Sequence, residues 1–416
     1  MKETILPVLL SLAMMACDPI DYHLTTGVSR IEAFGGHGRH GPDNNGDSIP
    51  SVRTDTVAYM TGVEFPESYD WVRDTAYGDV AARIVLFRDG EAVMSLATGP
   101  AEKISADPDM HHLVGGHVFS EYSSKGRTWI KKDGEELCSY DKAEKLRGLL
   151  VKGHDVFTLG QAKSGHGFSL RKNGQVIYEK DEGKVLGMMD SDSFFRGGAL
   201  YEDQGVLCFS YRSSSGGTPS GICCLVADGK ETFLNSQGNI LDIRRIDGKT
   251  WVLEQDADGI VWIRCGDYLR ALQVNSLSCT EVCRLSVWKG NVVATGDYGN
   301  PYSGYGSCVW DSSGNVLIQN SGKTDFYLSD RTQAKVQVFG GRTALSFNEG
   351  QNPTCLESGK QMYFPFRGAV LKGMRFILCT TPSDLWKSPV VYDGGIRKEI
   401  ELRGFLSGVE LVEEAP

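Results

Sequence analysis

FRDGEAVM at residues 87–94 and KKDGEELC at 131–138 are two copies of an octet that recurs along the chain with glycine at its fourth position. Asp-Gly or Asn-Gly between two strand-like runs is the strongest short-range signal of a β-hairpin, because a type I′ turn needs positive φ at both central residues. The pair is clearest in Asp89-Gly90, Asp133-Gly134, Asn173-Gly174 and Asp228-Gly229. The other copies are RKNGQVIY (171–178), VADGKETF (226–233), IRCGDYLR (263–270), DSSGNVLI (311–318), LESGKQMY (356–363) and VYDGGIRK (391–398).

The spacing of the octets predicts a β-propeller. Successive glycines lie 35–55 residues apart, and between them a second hairpin recurs as an apolar strand, a glycine turn and another apolar strand. Four antiparallel strands within about 44 residues have the size of one propeller blade. Eight hairpins predict eight blades. Seven blades is the alternative, because the fifth and seventh copies are the least regular.

The two ends of the repeat predict how the ring closes. The first copy has no clear innermost strand and begins near Val57–Thr61, whereas a surplus strand follows the last copy, around Phe405–Val412. An unclosed sheet leaves adhesive edges. We therefore expect the C-terminal strand to complete blade one, within a propeller domain spanning 55–414.

The first 54 residues differ in composition from the repeat. Lys2, the apolar run Ile5–Met15 and Ala16-Cys17 are typical of an export signal, and the run is too short to span a bilayer. We interpret 1–17 as a lipoprotein signal peptide with Cys17 as the lipidated residue, and a plain secretory peptide is the alternative. Residues 18–54, rich in glycine and asparagine, are expected to form a flexible tether.

Several strand and turn segments resemble a repeat found in exported lipoprotein β-propellers of Bacteroidetes-type bacteria. The matching segments are VFTLG (156–160), SLRKNG (169–174), VVATG (292–296) and RIVLFRDG (83–90). Most copies lack the tryptophan that this repeat carries before the turn. The resemblance implies an exported propeller lipoprotein and brings no activity or catalytic residues.

Charge and motifs exclude several classes of function. The 416-residue chain has a formal net charge of −10 and no basic run, which argues against nucleic acid and anionic membranes as partners. It has no nucleophile elbow, P-loop, HExxH or EF-hand loop. Met110-His111-His112 with His117, and Asp256 with Asp258, are interpreted as strand and turn residues. No metal site and no cofactor are predicted.

Cysteine usage does not indicate a disulfide framework. Apart from Cys17, most cysteines fall inside predicted strands without ordered spacing, and we expect small buried hydrophobic side chains. Cys279 and Cys283 are close enough in sequence to meet across a turn, so a disulfide there stays open.

Aromatic residues on the loops between second and third strands are the predicted ligand contacts, because these loops all emerge on one face of a propeller. Blade two contributes Tyr122. Rigid aromatic rings on loops suit stacking on sugars or gripping a peptide, and packing of each ring onto its own loop is the alternative. The residues assigned to the ligand site are Trp71, Tyr69, Tyr298, Tyr302, Tyr305 and Trp386.

These observations predict a propeller lipid-anchored to the outer membrane, periplasmic or surface-exposed, that binds a glycan, a peptide or an envelope protein. The membrane is contacted through the lipid alone. One alternative is an envelope enzyme, such as a glycan-cleaving hydrolase or lyase with carboxylates at the channel. Another is a structural subunit of an outer-membrane uptake assembly.

Overall fold

A computed structural model describes part of the chain, and all described residues fall within Arg53–Pro416. The predictions for residues 1–17 and 18–54, including lipidation of Cys17, lie outside the described residues. Within the described ranges, no helix combines the length and apolar character required to cross a bilayer. The described residues are 55–71, 77, 79–186, 199–213, 223–234, 238–274, 277–300, 304–321, 324–328, 333–339, 342–348, 366–373, 375–380, 389–393 and 396–414.

The described strands form eight antiparallel sheets that follow one another along the chain, which confirms the all-β propeller prediction. Seven sheets contain four or five strands, and the seventh in chain order contains three described strands. A single 3-10 turn, Pro108–Met110, precedes the second sheet.

The strands are, for the first sheet, β1 (Asp55–Glu64), β2 (Arg83–Arg88) and β3 (Glu91–Ala97); for the second, β4 (His111–Val114), β5 (His117–Ser124), β6 (Arg127–Lys132) and β7 (Glu135–Tyr140); for the third, β8 (Glu144–Lys152), β9 (Asp155–Ala162), β10 (Phe168–Lys172) and β11 (Gln175–Lys180); for the fourth, β12 (Lys184–Val185), β13 (Tyr201–Asp203), β14 (Val206–Arg212), β15 (Cys223–Ala227) and β16 (Lys230–Leu234). The fifth sheet has β17 (Asn239–Ile246), β18 (Lys249–Gln255), β19 (Val261–Cys265) and β20 (Tyr268–Ala271); the sixth has β21 (Gln273–Val274), β22 (Leu277–Trp288), β23 (Asn291–Asn300), β24 (Gly304–Asp311) and β25 (Val316–Ser321); the seventh has β26 (Thr324–Leu328), β27 (Gln333–Phe339) and β28 (Arg342–Asn348); the eighth has β29 (Phe366–Lys372), β30 (Arg375–Thr380), β31 (Val390–Asp393) and β32 (Ile396–Glu399); and β33 (Gly404–Glu414) joins the first sheet.

The predicted Asx-Gly turns have the expected backbone conformation. Asp89 has φ 51° and Gly90 has φ 96°, and the other three pairs are also positive at both residues. Each Asx side chain has a second role: Asp89 Oδ1 accepts from the Ala58 amide at 3.0 Å, and the Asp89 amide donates to the Ala58 carbonyl at 2.8 Å. The turn is thereby bound to the second strand of its own sheet. The same two bonds join Asp133 to Val118, Asn173 to Val156 and Asp228 to Leu207.

The C-terminal strand closes the first sheet, as predicted. β33 pairs with β1 along its whole length, from Asp55 opposite Glu414 to Glu64 opposite Gly404. The resulting strand order is β3-β2-β1-β33. The last strand of the chain therefore occupies the innermost place that the first repeat leaves empty.

The apolar core is divided among the spaces between consecutive sheets. Eight clusters of buried side chains occur in the described chain, and each joins one sheet to the next. Ile377 and Cys379 of the eighth sheet pack with Ala58 and Met60 of the first, so the last sheet is joined to the first. The sheets thus form a closed ring.

The cysteines of the described ranges are free thiols, and most are buried within strands as small hydrophobic side chains. The side chains of Cys279 and Cys283 lie outside the described part of the structure, so the disulfide between them stays an open prediction. Those described are Cys138, Cys208, Cys223, Cys224, Cys265, Cys308 and Cys379.

Candidate functional site

The aromatic loop of the first sheet packs inward. Trp71 is 8 % exposed and stacks on Phe65 with ring centroids 6.0 Å apart, while Phe405 of β33 lies 5.7 Å from it. Tyr69 is partly buried against the same cluster, with its ring 5.3 Å from Phe65. These contacts fit the alternative in which the rings pack within the protein. The reason is the surplus C-terminal strand, which brings Phe405 under the loop.

Tyr298 is also buried, at 8 % exposure. Its hydroxyl accepts a hydrogen bond from Gln319 Nε2 at 2.6 Å, and Gly306 leaves room for the ring because a Cβ there would lie 2.5 Å from the hydroxyl oxygen. The expectation that Tyr298 lies on a loop between the second and third strands was wrong, because Tyr298 lies on β23. Pairing of β23 with β24 continues to Asn300 opposite Gly304, so the segment is a long hairpin.

The side chains of the other three predicted ligand contacts are not among those that the structure describes. Tyr302 and Trp386 lie outside the described residues, and Tyr305 is described only as a strand position opposite Gly299. Their part in a ligand site stays a prediction.

Tyr122 and Trp129 form an aromatic pair that stays partly exposed. They are direct cross-strand partners on β5 and β6, with ring centroids 5.9 Å apart. The pair lies beside the turn between the second and third strands of its sheet. Sequence reasoning selected Tyr122 and missed Trp129. The available signal was the cationic flank of RTWIKK, in which the tryptophan precedes the octet turn.

Two cations lie over the Trp129 ring. Lys103 Nζ is 4.9 Å from the ring centroid, and Arg127 Cζ is 5.6 Å from it. Lys103 adopts φ 50° within a turn closed by hydrogen bonding between Gly99 and Ile104, so the backbone directs this lysine toward the second sheet. Arg127 Nη2 also donates to Ser139 Oγ at 2.7 Å. We name Tyr122, Trp129, Lys103 and Arg127 the aromatic–cationic patch.

The opposite face of the second sheet carries a buried carboxyl group. Glu121 is fully buried, and its Oε2 accepts from the Leu146 amide of the third sheet at 2.6 Å. Within the described residues its Oε1 has no hydrogen-bond partner. Burial raises the pKa of Glu121 to about 7, against the smaller opposing effects of the Leu146 amide and of Lys163 and Lys145.

A buried ion pair lies beside Glu121. Arg171 donates to Glu144 through Nη1 at 2.5 Å and Nη2 at 3.2 Å, a bidentate arrangement with both side chains at most 3 % exposed. Ser169 Oγ donates to the same carboxylate at 3.0 Å, and the Arg171 guanidinium lies 3.7 Å from the Tyr140 ring centroid. A side chain at Gly160 would overlap this carboxylate, so glycine makes room for it.

A protonated acid beside an ionised carboxylate is the arrangement that glycoside hydrolysis uses. However, Glu121 and Glu144 are both fully buried between two sheets, and a substrate does not reach them in this structure. Both carboxyl groups make hydrogen bonds with residues of neighbouring strands. The cluster therefore joins the second sheet to the third rather than forming an accessible catalytic site.

The histidines and aspartates considered from the sequence have local partners. His111 is buried, with Nε2–H donating to the Ser105 carbonyl at 2.8 Å, and burial lowers its pKa to about 4. His117 Nδ1 lies 2.6 Å from Asp133 Oδ2. Asp256 accepts from two backbone amides and from Trp262 Nε1 at 2.7 Å, so it closes an acidic turn. Among the described residues, no group of three or more His, Cys, Asp or Glu side chains is arranged to hold a metal ion.

No family model and no curated protein matches the chain. Similar solved structures include a dihydro-haem d1 dehydrogenase, NirN, in complex with DHE, at 11% identity and TM-score 0.49, with 86% of this chain and 75% of that chain covered. The β-propeller domain of the Trilobed protease from Pyrococcus furiosus has 9% identity and TM-score 0.39, with 77% and 86% covered. An acylaminoacyl peptidase of Pyrococcus horikoshii has 11% identity and TM-score 0.39, with 74% and 54% covered. At these values the ligands and reactions of those proteins do not transfer to this chain.

Proposed function

We propose that this protein is a ligand-binding module of the cell envelope and that the aromatic–cationic patch contacts the ligand. The observation that carries the proposal is the partly exposed Tyr122–Trp129 pair with two cations over Trp129. Tryptophan, tyrosine and arginine are the residue types that contribute most to binding at protein surfaces. The comparable rings Trp71 and Tyr298 are buried, which leaves this pair as the better-supported ligand contact.

The ring of sheets suits binding because its loops present a wide face while the core fixes their positions. Eight sheets, each packed on the next by its own apolar cluster, support a ring of eight blades. A ring of seven, the alternative, would require one sheet to lie outside it. The three-stranded sheet, the least complete candidate, packs on both of its neighbours through Phe326 and Tyr327.

The proposed location rests on the sequence before the ring. The apolar run that ends at Ala16-Cys17 supports export and lipidation of Cys17, with 18–54 as a tether to the outer membrane. Mass spectrometry of the membrane fraction tests this. An unmodified Cys17, or a mature N-terminus elsewhere, would contradict it.

The binding function is tested with the full chain on an array of glycans and peptides. Trp129→Ala should weaken binding at least tenfold, because truncation of an aromatic hot spot costs about 2 kcal/mol or more. Trp262→Ala is the matched control, since Trp262 is also partly buried on the third strand of its sheet. Thermal unfolding is recorded for both variants. Equal affinities of the Trp129→Ala variant and the native chain would overturn the proposed site.

A further inference from the structure

We infer that the ligand of the aromatic–cationic patch is an acidic glycan, bearing carboxylate or sulfate groups on its sugars. This inference rests on the proposed binding function and names its ligand class. The aromatic pair packs against the apolar face of a sugar ring, and the two cations that lie over the Trp129 ring bind an acidic substituent of the same sugar.

Two positive charges lie close to Trp129, whereas the chain as a whole is negatively charged. The net charge is −10, so an acidic ligand is repelled by the protein as a whole. The ammonium of Lys103 and the guanidinium of Arg127 are both within 6 Å of the ring centroid. An acidic group placed on this ring therefore meets two cations at short range, where their attraction exceeds the screened repulsion from distant carboxylates.

Arg127 keeps donor capacity for a ligand. Its Nη2 donates to the neutral hydroxyl of Ser139, and its Nε lies 3.7 Å from the Asp141 carboxylate, which is 90 % exposed. A guanidinium has five N–H donors, and an ion pair with so exposed a carboxylate is weak. An acidic substituent of the ligand can therefore replace Asp141 as the ion-pair partner of Arg127 with little loss of free energy.

The strands favour a glycan over an acidic peptide. A peptide that binds along a sheet uses free backbone groups at a strand edge. Trp129 lies on β6, which pairs with β5 on one side and with β7 on the other: it is opposite Tyr122 and opposite Ser139. The strand therefore offers no edge to an extended peptide, whereas ring stacking requires none.

The test uses a panel of acidic glycans, each printed beside its neutral counterpart with the same linkages, together with glutamate-rich peptides. The full chain should bind acidic members at least tenfold more tightly than their neutral counterparts. Added salt should weaken the binding.

The variants Lys103→Gln and Arg127→Gln should each weaken binding to the acidic glycan by about five- to tenfold, as expected for one charge-assisted contact. Lys125→Gln is the matched control. Lys125 is exposed, carries the same charge and shares the backbone conformation of Lys103, with φ 49° against 50°. Its loss should change affinity less than twofold, about the limit of detection.

The outcomes separate the two proposals. Equal binding of acidic and neutral glycans, with loss of both in Trp129→Ala, would overturn the ligand class and leave the binding function standing. Binding to glutamate-rich peptides in preference to glycans would also overturn the ligand class. Tight glycan binding that survives Trp129→Ala would place the ligand elsewhere on the protein and overturn the patch.

Discussion

The second sheet packs against its two neighbours by different chemistry. Toward the first sheet it presents Val118 to a cluster of rings and aliphatic side chains around Trp71 and Phe405. Toward the third sheet it presents Phe119 and Ile130 to an apolar cluster and, in addition, Glu121 beside the Glu144–Arg171 ion pair. The comparison shows that one repeated fold accepts either kind of interface. At the interface with the third sheet, burial raises the pKa of Glu121 to about 7.

The largest expected effect is on the aromatic interface. Trp71→Ala should lower the free energy of unfolding by about 3–5 kcal/mol, because it leaves a cavity beside Phe65 and Phe405. The loss should be the same at pH 5 and pH 8, since the rings that pack on Trp71 in the described structure, Phe65 and Phe405, do not titrate. Urea unfolding at both pH values measures it, with Trp262→Ala as the control. A stable variant with weakened ligand binding would instead restore Trp71 as a ligand contact.

Breaking the ion pair at the interface with the third sheet should lower the free energy of unfolding by nearly as much. Arg171→Met removes the bidentate partner of the buried Glu144 carboxylate and leaves it Lys142 Nζ at 3.5 Å and the Ser169 hydroxyl, and we expect a loss of about 3 kcal/mol. The double variant Arg171→Met/Glu144→Leu removes both charges and should recover most of that loss. Urea unfolding of the native chain, Arg171→Met, Glu144→Leu and the double variant forms a complete cycle. Additive losses would show that the two residues are not coupled.

Glu121 should make stability depend on pH. Its pKa is about 7 in the folded protein against 4.5 as the ordinary value, so the folded state holds the proton more tightly between these values. The stabilisation is complete below about pH 4.5 and is lost as pH rises through 7. Glu121→Gln should therefore be more stable than the native chain at pH 8, by about 3 kcal/mol, and similar to it at pH 4.5.

Histidine titration opposes this trend and must be separated from it. His111 has a pKa of about 4 against 6.5, so its neutral form stabilises the fold above pH 6.5 and that contribution is lost as pH falls toward 4. The histidine contribution cancels when the free energy of unfolding of the native chain is subtracted from that of Glu121→Gln, because both proteins contain His111. A difference that does not vary from pH 5 to pH 8 would show that Glu121 does not titrate in this range.

The smallest effect tests how closely the second and third sheets approach. Gly174 and Gly126 both have φ near 80°, but a Cβ at Gly174 would lie 2.7 Å from Cys138 Cβ of the second sheet, whereas Gly126 has nothing within 4 Å. Gly126→Ala should cost about 1 kcal/mol for backbone strain alone. Gly174→Ala should cost about 1 kcal/mol more, from the contact with Cys138. Thermal melting of the pair measures the difference, and equal melting temperatures would contradict the close approach.

The hairpins could be predicted because each turn is determined by its own residues. The closing strand could be predicted by counting the strands of each repeat. Asp89 and Gly90 determine a turn whatever surrounds them, and a missing strand at one end matches a surplus strand at the other. The octet also contains the residue that binds the second strand, although the sequence does not display that hydrogen bond.

The candidate site could not be predicted in the same way. Whether Trp71 is exposed depends on Phe405, more than 300 residues away, and on the path of the loop between them. Glu121 falls where Leu159 and Leu253 stand in other second strands, counted from the preceding turn. Its burial follows from the third sheet packing over it, which no local pattern encodes. Trp129 is only partly buried, and its exposure likewise depends on three-dimensional packing.

Closure of the first sheet by β33 has a consequence for the order of folding. Tyr59 donates to Glu414 Oε1 at 2.5 Å across 355 positions of sequence, so this contact forms only when nearly the whole chain is available. Each later sheet draws its strands from one short stretch, and such local contacts form faster than distant ones. During synthesis the edge of β1 that will pair with β33 therefore stays unpaired, and such edges recruit other chains. The step most exposed to aggregation is the last one, when β33 reaches β1.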